Sequence, residues 1–341
     1  MVLRIGQAQQ GLGDLVHILT KPQPEFEAAA ADAGIGITSD AIHGKLNLAA
    51  PHRIAEHIRA VGAEVVITVH STATLWGIKG AARARVPCLA YMQAANTRWP
   101  YIWAPAAIGC AEYIRQHLIA GGMPPDRVHV VANSIDAGPY LDDADRAGIR
   151  AELGLSETDI AVGTLAHFTP RKAHRDLLMA ARIALPSAPD LVLLWAGEGP
   201  LERSLRVEAA RMGLGERVRF LGFRSDSARL HRAFDIFCLP SLLEGLPLSV
   251  LEAMASARPC VVTSVSGNPE LVVDGITGIL VPPRDPAQLA RALVMLANDA
   301  AVRSAMGAAG RRRVMEEFSL EASARQMRAV LELEIARQSR S

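Results

Sequence analysis

The stretch "SLLEGLPLSVLEAMASARP", residues 241–259, places the two glutamates Glu244 and Glu252 on either side of a proline at the start of an apolar segment. Pro247 predicts the first turn of a helix, because the N–H that proline lacks has no intrahelical partner there. Glu244 then lies in the loop before the helix, and Glu252 lies in its early turns. A helix N-terminus attracts an anion. An ionised carboxylate can accept two hydroxyl bonds, as a sugar or ribose diol requires.

On spacing alone, two interpretations of this pair stay open. Glu252 could simply complement the helix dipole, with Glu244 as a solvated loop acid. Alternatively, both carboxylates could hold hydroxyl groups of one ligand whose anionic part lies at the helix N-terminus. The surrounding sequence has to decide between them.

Short apolar runs bounded by Gly and Pro recur on both sides of this stretch. Most are continuously apolar, as strands buried on both faces must be, and helical patterns separate them. This alternation predicts an α/β fold with parallel sheets covered by helices. The runs lie at residues 15–20, 64–70, 87–92, 127–133, 160–168, 191–197, 217–223, 235–241 and 259–264, and the clearest helical patterns at 51–62, 111–122, 175–185 and 200–213.

A length of 341 residues predicts two domains. Residues 133–154, rich in Gly, Pro and acids, interrupt the alternation and are predicted to be the linker. We therefore expect an N-terminal domain at 1–138, a second domain at 139–318 and a final helix at 319–341.

Composition narrows the class of partner. Lys and Arg number 36 and Asp and Glu 35, so no strong field favours nucleic acid. No apolar run approaches the ~18 residues of a membrane span, and the first residues lack the order of a signal peptide. The four cysteines, which form no Cys-x-x-Cys pair, are predicted to be buried thiols in a reducing cytosol: Cys88, Cys110, Cys238 and Cys260. The expected location is cytoplasmic.

Residues 235–293 resemble the donor-domain signature of the retaining nucleotide-sugar glycosyltransferases of family 4. The resemblance extends back through "AGEGPLE" (196–202) and "FLGFRSD" (220–226) to "NSID" (133–136). It implies the GT-B fold, in which two Rossmann-like parallel-sheet domains face a central cleft and the last helix packs back on the first domain. It also implies transfer of a sugar from a nucleoside diphosphate sugar, with retention of configuration and with no metal or other cofactor.

The resemblance assigns the two glutamates separate roles. Glu244 would bind hydroxyls of the donor sugar, and Glu252 would hold the ribose diol. The backbone of Gly245, Leu246 and Leu248 would lie near the sugar and diphosphate.

The same resemblance makes Lys172 the cation that neutralises the donor diphosphate. Five residues earlier the family usually has arginine, but here the residue is His167. A neutral imidazole donates only one bond, so diphosphate binding is expected to lean on Lys172 and on Arg171 beside it. The glycine that usually follows the lysine is Ala173.

Further positions follow from the resemblance. Arg224, Ser225 and Asp226 fall where the nucleotide base is bound. His70, at the end of the run 64–70, matches a histidine that faces the donor sugar. Without the resemblance, a lone histidine at a strand end is more often structural.

The motif "DAD" (143–145) has the form of a divalent-ion site, but it lies in the acidic linker, so we expect a solvated charge run and no metal site. The expected partners are a nucleotide-sugar donor and an unknown glycan, lipid or small-molecule acceptor, with no nucleic acid. A peripheral contact at the inner face of the membrane stays open. The rival function is that of a non-catalytic, degenerate relative that only binds sugar nucleotides.

The N-terminus allows two assignments. If residues 15–20 form the second strand of the first sheet, residues 2–13 are the first helix, and the chain begins inside the natural domain, without its first strand and glycine-rich turn. Otherwise residues 2–5 are the first strand and 6–13 the loop. We favour the helix, because Pro22 and Pro24 would cut a helix that started at Asp14.

Overall fold

The structure is a computed structural model that describes residues 2–40, 42, 47–95 and 98–340. The chain divides into two compact units. Unit 1 runs to Ser134 and takes in the residues from Leu320 onward, and unit 2 is Ile135–Ser319. The chain thus passes between the units at 134/135 and again at 319/320, where the sequence suggested 138/139 and 318/319.

Unit 1 contains two parallel sheets covered by helices. Strands β1 and β2 pair with each other, and a second sheet has the order β3-β4-β5-β6. Its elements are α1 (Val2–Gly11), β1 (His17–Thr20), α2 (Pro24–Asp32), β2 (Gly36–Ser39), α3 (Ala50–Val61), β3 (Val66–Val69), α4 (Ser71–Ala84), β4 (Cys88–Met92), β5 (Ala106–Gly109), α5 (Glu112–Ile119), β6 (Val128–Val130) and α14 (Leu320–Gln338). Short 3₁₀ turns lie at Tyr101–Trp103 and Pro125–Arg127.

Helices α1 and α14 belong to the same unit although they stand at opposite ends of the chain. The side-chain amide of Gln9 in α1 donates to the carbonyl of Ala324 in α14 at 3.0 Å. The Nε2 atom of His129 in β6 lies 3.0 Å from Glu334 of α14. The helical assignment of the first residues is confirmed, since α1 covers Val2–Gly11 and a strand begins only at His17.

Unit 2 is built on one six-stranded parallel sheet with the order β12-β11-β10-β7-β8-β9. Its elements are α6 (Arg146–Glu152), β7 (Ile160–Leu165), α7 (His174–Ala184), β8 (Leu191–Ala196), α8 (Glu202–Arg211), β9 (Val218–Phe220), α9 (Ser227–Ala233), β10 (Ile236–Leu239), α10 (Leu248–Ala255), β11 (Cys260–Thr263), α11 (Asn268–Leu271), β12 (Gly278–Val281), α12 (Pro286–Asn298) and α13 (Ala300–Glu317). Short 3₁₀ turns lie at Gly138–Tyr140, Pro170–Lys172 and Gly215–Arg217.

Three strands of the unit 2 sheet are buried along their whole length, as their apolar sequences predict, and the central strand β7 is buried except at its two ends. Every residue of β8, β10 and β11 is buried, because helices cover both faces of a parallel sheet. Phe168, His174, Trp195 and Phe220 form an aromatic cluster with edge-on and tilted ring contacts at 4.9–6.3 Å between centroids. This core fixes the sheet whose edge carries the candidate site.

Each of the nine predicted strand runs contains a strand, but three further strands have no counterpart among them. The strand β5 has the sequence "AAIG", and small residues have low strand propensity even when every position is buried. The strand β2, "GITS", has no fully buried residue. The strand β12 lies at the point where the sequence pattern turns helical.

Most of the predicted linker is not a connection between the units. Most of residues 133–154 belongs to unit 2 and is tied to it by ion pairs. Asp235, just before β10, accepts bonds from Arg146 at 2.6 Å and from Arg150 at 2.9 Å, and both arginines lie on α6. Acids of this stretch likewise pair with arginines of unit 2: Asp142 with Arg232, Asp143 with Arg258, Asp145 with Arg229, and Glu152 with Arg224 and Arg229.

All four cysteines are free and buried, as predicted. Burial raises the pKa of the Cys88 thiol to about 12, so this thiol stays protonated. Within the described ranges, no helix combines the length and apolarity needed to cross a membrane.

Candidate functional site

The order of strands in unit 2 creates a crevice at one point of the sheet. From β7 the chain moves outward through β8 and β9, and it then returns to the other side of β7 to build β10, β11 and β12. In open parallel sheets, ligands bind outside the carboxyl ends of the strands where the order reverses in this way. Here that point lies between β7 and β10, so the loops after these two strands should carry the site.

The loop after β7 brings Lys172 to this edge. A 3₁₀ turn, Pro170–Lys172, is closed by a backbone bond of 3.0 Å from the N–H of Lys172 to Thr169. Ala173 follows in the left-handed region, with φ 48° and ψ 38°, and α7 begins at His174. An L-residue with a Cβ is strained in this conformation, which suits glycine better.

The loop after β10 brings Glu244 to the same edge. Its Oε1 atom lies 2.5 Å from Nζ of Lys172, and the two side chains are only 6% and 12% exposed. The backbone N–H of Leu242 also donates to the carbonyl of Arg171 at 2.7 Å, which ties the two loops together. The structure thus joins two residues that lie 72 positions apart and that the sequence had assigned to one site.

The loop after β11 contacts Glu244 and the loop that carries it. The N–H of Glu244 donates to the hydroxyl of Ser266 at 3.2 Å. A Cβ on Gly267 would lie 2.1 Å from the carbonyl oxygen of Gly245, so only glycine permits this close approach. The sequence "SGNPE" (266–270) therefore has a structural reason, which is to let its backbone pack against the loop that carries Glu244.

The start of α10 offers unpaired backbone donors. Pro247 is the N-cap, one position earlier than the first helical turn predicted for it. The N–H groups of Gly245, Leu248 and Ser249 have no acceptor within the part of the chain that the structure describes. Leu246 is buried at 3% exposure and packs the loop down. A helix start of this kind favours a phosphate or another anion.

Glu252 is the fifth residue of α10 and is therefore too far along the helix to serve mainly as a complement to the helix dipole. Its side chain is 14% exposed. Among the described residues, only the ring of His231 comes within ion-pair distance of its carboxylate, with 3.7 Å from Nε2 to Oε2. The carboxylate oxygens thus remain available to hydroxyl donors of a ligand.

His167 and Arg171 flank Lys172 and are both exposed. The Nδ1 atom of His167 lies 3.2 Å from the carbonyl of Glu198, in the loop after β8. Because a carbonyl only accepts, this contact uses the one N–H of a neutral imidazole, and Nε2 is left with a lone pair that can accept a bond from a ligand.

The three residues expected at the base site have unequal surroundings. Arg224 makes bonds of 2.7 and 2.6 Å to Asp226 and also bonds Glu152 of α6. The hydrogen bonds from Arg224 hold the pKa of the Asp226 carboxyl below its usual range. Ser225 between them is exposed. The side chains of Arg224 and Asp226 therefore bond each other. The groups that remain available to a ligand are the backbone of these residues and Ser225.

His70 lies in unit 1, at the point where β3 gives way to α4. Its side chain is exposed, and its backbone has φ 75° and ψ 151°, a region that residues other than glycine almost never adopt. The carbonyl of His70 accepts bonds of 2.9 Å from the N–H and the hydroxyl of Thr74. Strain of this kind at an exposed histidine is typical of a functional position.

The "DAD" motif is engaged in ion pairs. Asp143 pairs with Arg258, and Asp145 lies 2.6 Å from Arg229. In the described ranges, no group of three or more His, Cys, Asp or Glu residues has an arrangement that could hold a metal ion. The side chains of Asp143 and Asp145 are 46% and 42% exposed, so they lie at the surface as expected, and each is paired with an arginine.

Two residues beside the glutamates were not predicted from the sequence: His231, which is fully buried on α9 beside Glu252, and Ser266, whose hydroxyl accepts from the N–H of Glu244. No local pattern distinguishes either residue, since His231 is one basic residue in an ordinary helix and Ser266 is one small residue in a loop. Their significance comes only from tertiary contacts.

The arrangement brings together a largely buried ammonium, unpaired backbone donors at a helix start and two carboxylates. One carboxylate, Glu244, is paired with the ammonium, and the other, Glu252, is not. The ammonium and the amides can neutralise a diphosphate. The carboxylates can accept hydroxyl bonds, one beside the cation and one further along α10. Such a set is suited to a ligand that carries both a diphosphate and vicinal hydroxyls.

Comparison with known proteins agrees with this chemistry. Residues 158–299 match the family model described as glycosyl transferases group 1. This segment contains Lys172, Glu244 and Glu252.

Two curated relatives illustrate the similarity. The chain is 30% identical over 179 residues to the UDP-Gal:alpha-D-GlcNAc-diphosphoundecaprenol alpha-1,3-galactosyltransferase of Escherichia coli, a match that covers 51% of this chain and 46% of the relative. It is 32% identical over 211 residues to the lipopolysaccharide core biosynthesis mannosyltransferase LpsB of Rhizobium meliloti, covering 60% of each. The chain spans about half the length of the curated relatives it matches.

Solved structures show the same fold over nearly the whole chain. The crystal structure of Anabaena HepE in complex with UDP superposes with a TM-score of 0.85 at 20% identity, covering 97% of this chain and 94% of that one. Sucrose-phosphate synthase from Thermosynechococcus elongatus gives a TM-score of 0.77 at 20% identity, with 98% and 92% covered. The chain therefore has the GT-B fold, with a Rossmann-like parallel sheet in each unit.

Proposed function

We propose that the protein is a retaining glycosyltransferase of family 4 that moves a sugar from a nucleoside diphosphate sugar to a hydroxyl of an acceptor. The single observation that carries this function is the position of Lys172, paired with Glu244 at the switch point of the unit 2 sheet, beside the unpaired amides that open α10. The ammonium and the amides suit the diphosphate of such a donor, and the carboxylate suits its sugar hydroxyls.

The chemical step needs stabilisation of the departing diphosphate. The acceptor oxygen bonds to the anomeric carbon on the face that the leaving group departs from, and the bond from that carbon to the diphosphate oxygen breaks. The acceptor proton passes to the departing phosphate. Lys172, Arg171 and the start of α10 bind the charge that develops, a preorganised electrostatic contribution. Glu244 binds sugar hydroxyls, and His70 is a further residue that transfer requires.

The remaining donor contacts follow from the same pose. Glu252 holds the ribose diol, and Gly245, Leu246 and Leu248 present their backbone to the sugar and diphosphate. His167 lies beside the diphosphate, and the segment Arg224–Asp226 lies against the base. Among named relatives, one carries UDP-Gal in its name and another GDP-mannose, so both uridine and guanosine donors are candidates.

We further propose that the reaction is metal-independent and takes place in the cytoplasm. The acceptor is a glycan, a lipid-linked glycan or a small molecule, since relatives are named for a diphosphoundecaprenol, a phosphatidylinositol mannoside and an inositol phosphate acceptor. A lipid-linked acceptor would require a peripheral contact with the membrane.

The most informative experiment is a thermal shift panel with UDP, GDP and ADP and with their common sugar conjugates. A ligand at ~100 times its dissociation constant adds ~2.7 kcal/mol to the free energy of unfolding. A shift with one base and not with the others identifies the donor class. A flat response to the whole panel would contradict the proposed function.

Slow hydrolysis of the stabilising donor then separates an enzyme from a protein that only binds sugar nucleotides. Hydrolysis that continues in EDTA supports metal independence, and loss in EDTA with recovery on added Mg²⁺ would overturn it. Once an acceptor is found, the anomeric configuration of the product, measured by NMR, tests retention.

A further inference from the structure

Next to Glu252 lies a buried histidine whose two ring nitrogens have no hydrogen-bond partner. His231, on α9, is 0% exposed, and neither Nδ1 nor Nε2 finds a partner in the described part of the chain. Burying an imidazole without a partner is costly, so each such group calls for an explanation.

The surroundings of the ring fix what it can do. Tyr140, Phe234 and Phe237 contact it at centroid distances of 5.3–5.9 Å, so they surround it with aromatic surface. Burial lowers the pKa of His231, while Glu252 opposes that shift. The ring is therefore neutral near pH 7, with one N–H and one lone pair.

Only one of the two nitrogens faces a charged group that can accept a bond. Nε2 lies 3.7 Å from Oε2 of Glu252, slightly beyond hydrogen-bond distance. A small rotation of the carboxylate would close this gap. Nε2–H is the tautomer that such a bond requires.

We infer that His231 is the positioning residue for Glu252, its Nε2–H donating to the carboxylate when a nucleotide holds that carboxylate in place. This inference rests on the proposed function, because the other side of the carboxylate must bind the ribose diol. The bond forms on binding, so it contributes to nucleotide affinity and little to the stability of the free protein. His231 itself does not touch the ligand.

Two substitutions separate positioning from packing. His231→Phe keeps an aromatic ring in an aromatic environment but removes the donor. His231→Gln packs less well but places an amide N–H near the position of Nε2. A positioning role predicts that the phenylalanine variant binds the nucleotide weakly while remaining as heat-stable as the wild type. The glutamine variant should retain affinity despite a lower Tm.

The measurement is calorimetric titration with UDP, GDP and ADP, using whichever binds the wild-type protein. His231→Phe should weaken binding by about tenfold, the effect of losing one hydrogen bond to a charged group. With saturating donor, kcat should stay within twofold of wild type, so that the loss appears in KM. The double variant His231→Phe/Glu252→Gln should bind no worse than Glu252→Gln alone, because His231 acts through that carboxylate.

His129 provides the matched control. It forms the same type of pair with Glu334 at 3.0 Å, but in unit 1, so His129→Phe should lower the Tm without changing nucleotide affinity. Equal binding by wild type and His231→Phe, additive losses in the double variant, or weaker binding by the glutamine variant than by the phenylalanine variant would each overturn the inference alone. Failure of the wild type to bind any of the three nucleotides would overturn the proposed function, and this inference with it.

Discussion

Lys172 and Glu244 form an ion pair of 2.5 Å at the edge of the sheet, with both side chains largely buried. In the free protein each of the two groups neutralises the other. In the proposed complex the ammonium of Lys172 binds the diphosphate, and the carboxylate of Glu244 binds sugar hydroxyls. The donor then breaks the ion pair and supplies each group with a new partner. The pair keeps both groups ordered and prevents either from being buried without a partner.

Replacing Lys172 by Ala should reduce transfer by about ten- to a hundredfold, because one charge-assisted contact of ~1.5–3 kcal/mol to the diphosphate is lost. The protein should still fold, with a lower Tm, since the Glu244 carboxylate is left without its cation. The double variant Lys172→Ala/Glu244→Gln should regain the Tm but not the activity. Unchanged steady-state kinetics in Lys172→Ala would remove this residue from the site.

The two glutamates should respond differently to the same change. Glu252→Gln replaces a hydroxyl acceptor by a group with one acceptor and one donor end, so affinity for free nucleoside diphosphate should fall by about tenfold. Glu244→Gln should reduce transfer more than nucleotide binding. Titration with the nucleoside diphosphate and kinetics with the complete donor separate the two effects, and equally weak nucleotide binding by both variants would contradict the assigned roles.

Ala173 offers a stabilising substitution. Its φ of 48° is strained for an L-residue, so Ala173→Gly should raise the free energy of unfolding by about 0.5–1 kcal/mol after the entropic cost of glycine is subtracted. Ala308, exposed within α13, is the control, and Ala308→Gly should destabilise by about 1 kcal/mol. Urea denaturation measures both, and destabilisation of similar size in the two variants would show that the left-handed conformation is wrong.

His70 should show opposite effects on stability and activity. His70→Gly relieves the backbone strain at φ 75° and should stabilise the protein by about 1 kcal/mol, yet it removes the ring and should lower transfer by at least about tenfold. Arg85, exposed at the other end of α4 with φ 61°, is the control. Arg85→Gly should stabilise without affecting kinetics, and full activity in His70→Gly would leave this histidine with a structural role only.

The free energy of unfolding should decrease as the pH falls below about 6.5, because of His174. Burial, with a smaller effect of Lys172, lowers the pKa of His174 to about 3, so below about pH 6.5 the unfolded chain takes up a proton that the folded protein does not. This stability is fully present above pH 6.5 and is lost as the pH falls toward 3, at up to about 1.4 kcal/mol per pH unit. His231 adds to the same trend.

Urea denaturation between pH 5 and 7 checks this dependence. His174→Leu should reduce the slope by about one proton at the acid end of this range. An unchanged slope in His174→Leu would show that the buried imidazole is not the source.

Much of the site was predictable because its residues lie close to signals that the sequence displays. Lys172 and Glu244 each follow a continuously apolar run, and the ends of parallel strands meet at one edge of a sheet. His231 could not be predicted, since its meaning depends on the packing of α9 against α10. The ion pairs of residues 143–152 were equally hidden, because their partners lie 72 or more positions away.

The return of α14 to unit 1 has a consequence for how the protein is made. A ribosome extends the chain by about 5–20 residues per second, so all of unit 2 leaves it before the helix that completes unit 1. During this interval Gln9 and His129 lack their contacts to Ala324 and Glu334. Nascent chains of this protein should therefore contain a finished unit 2 beside an open, protease-sensitive unit 1, the reverse of the order in which their first residues are translated.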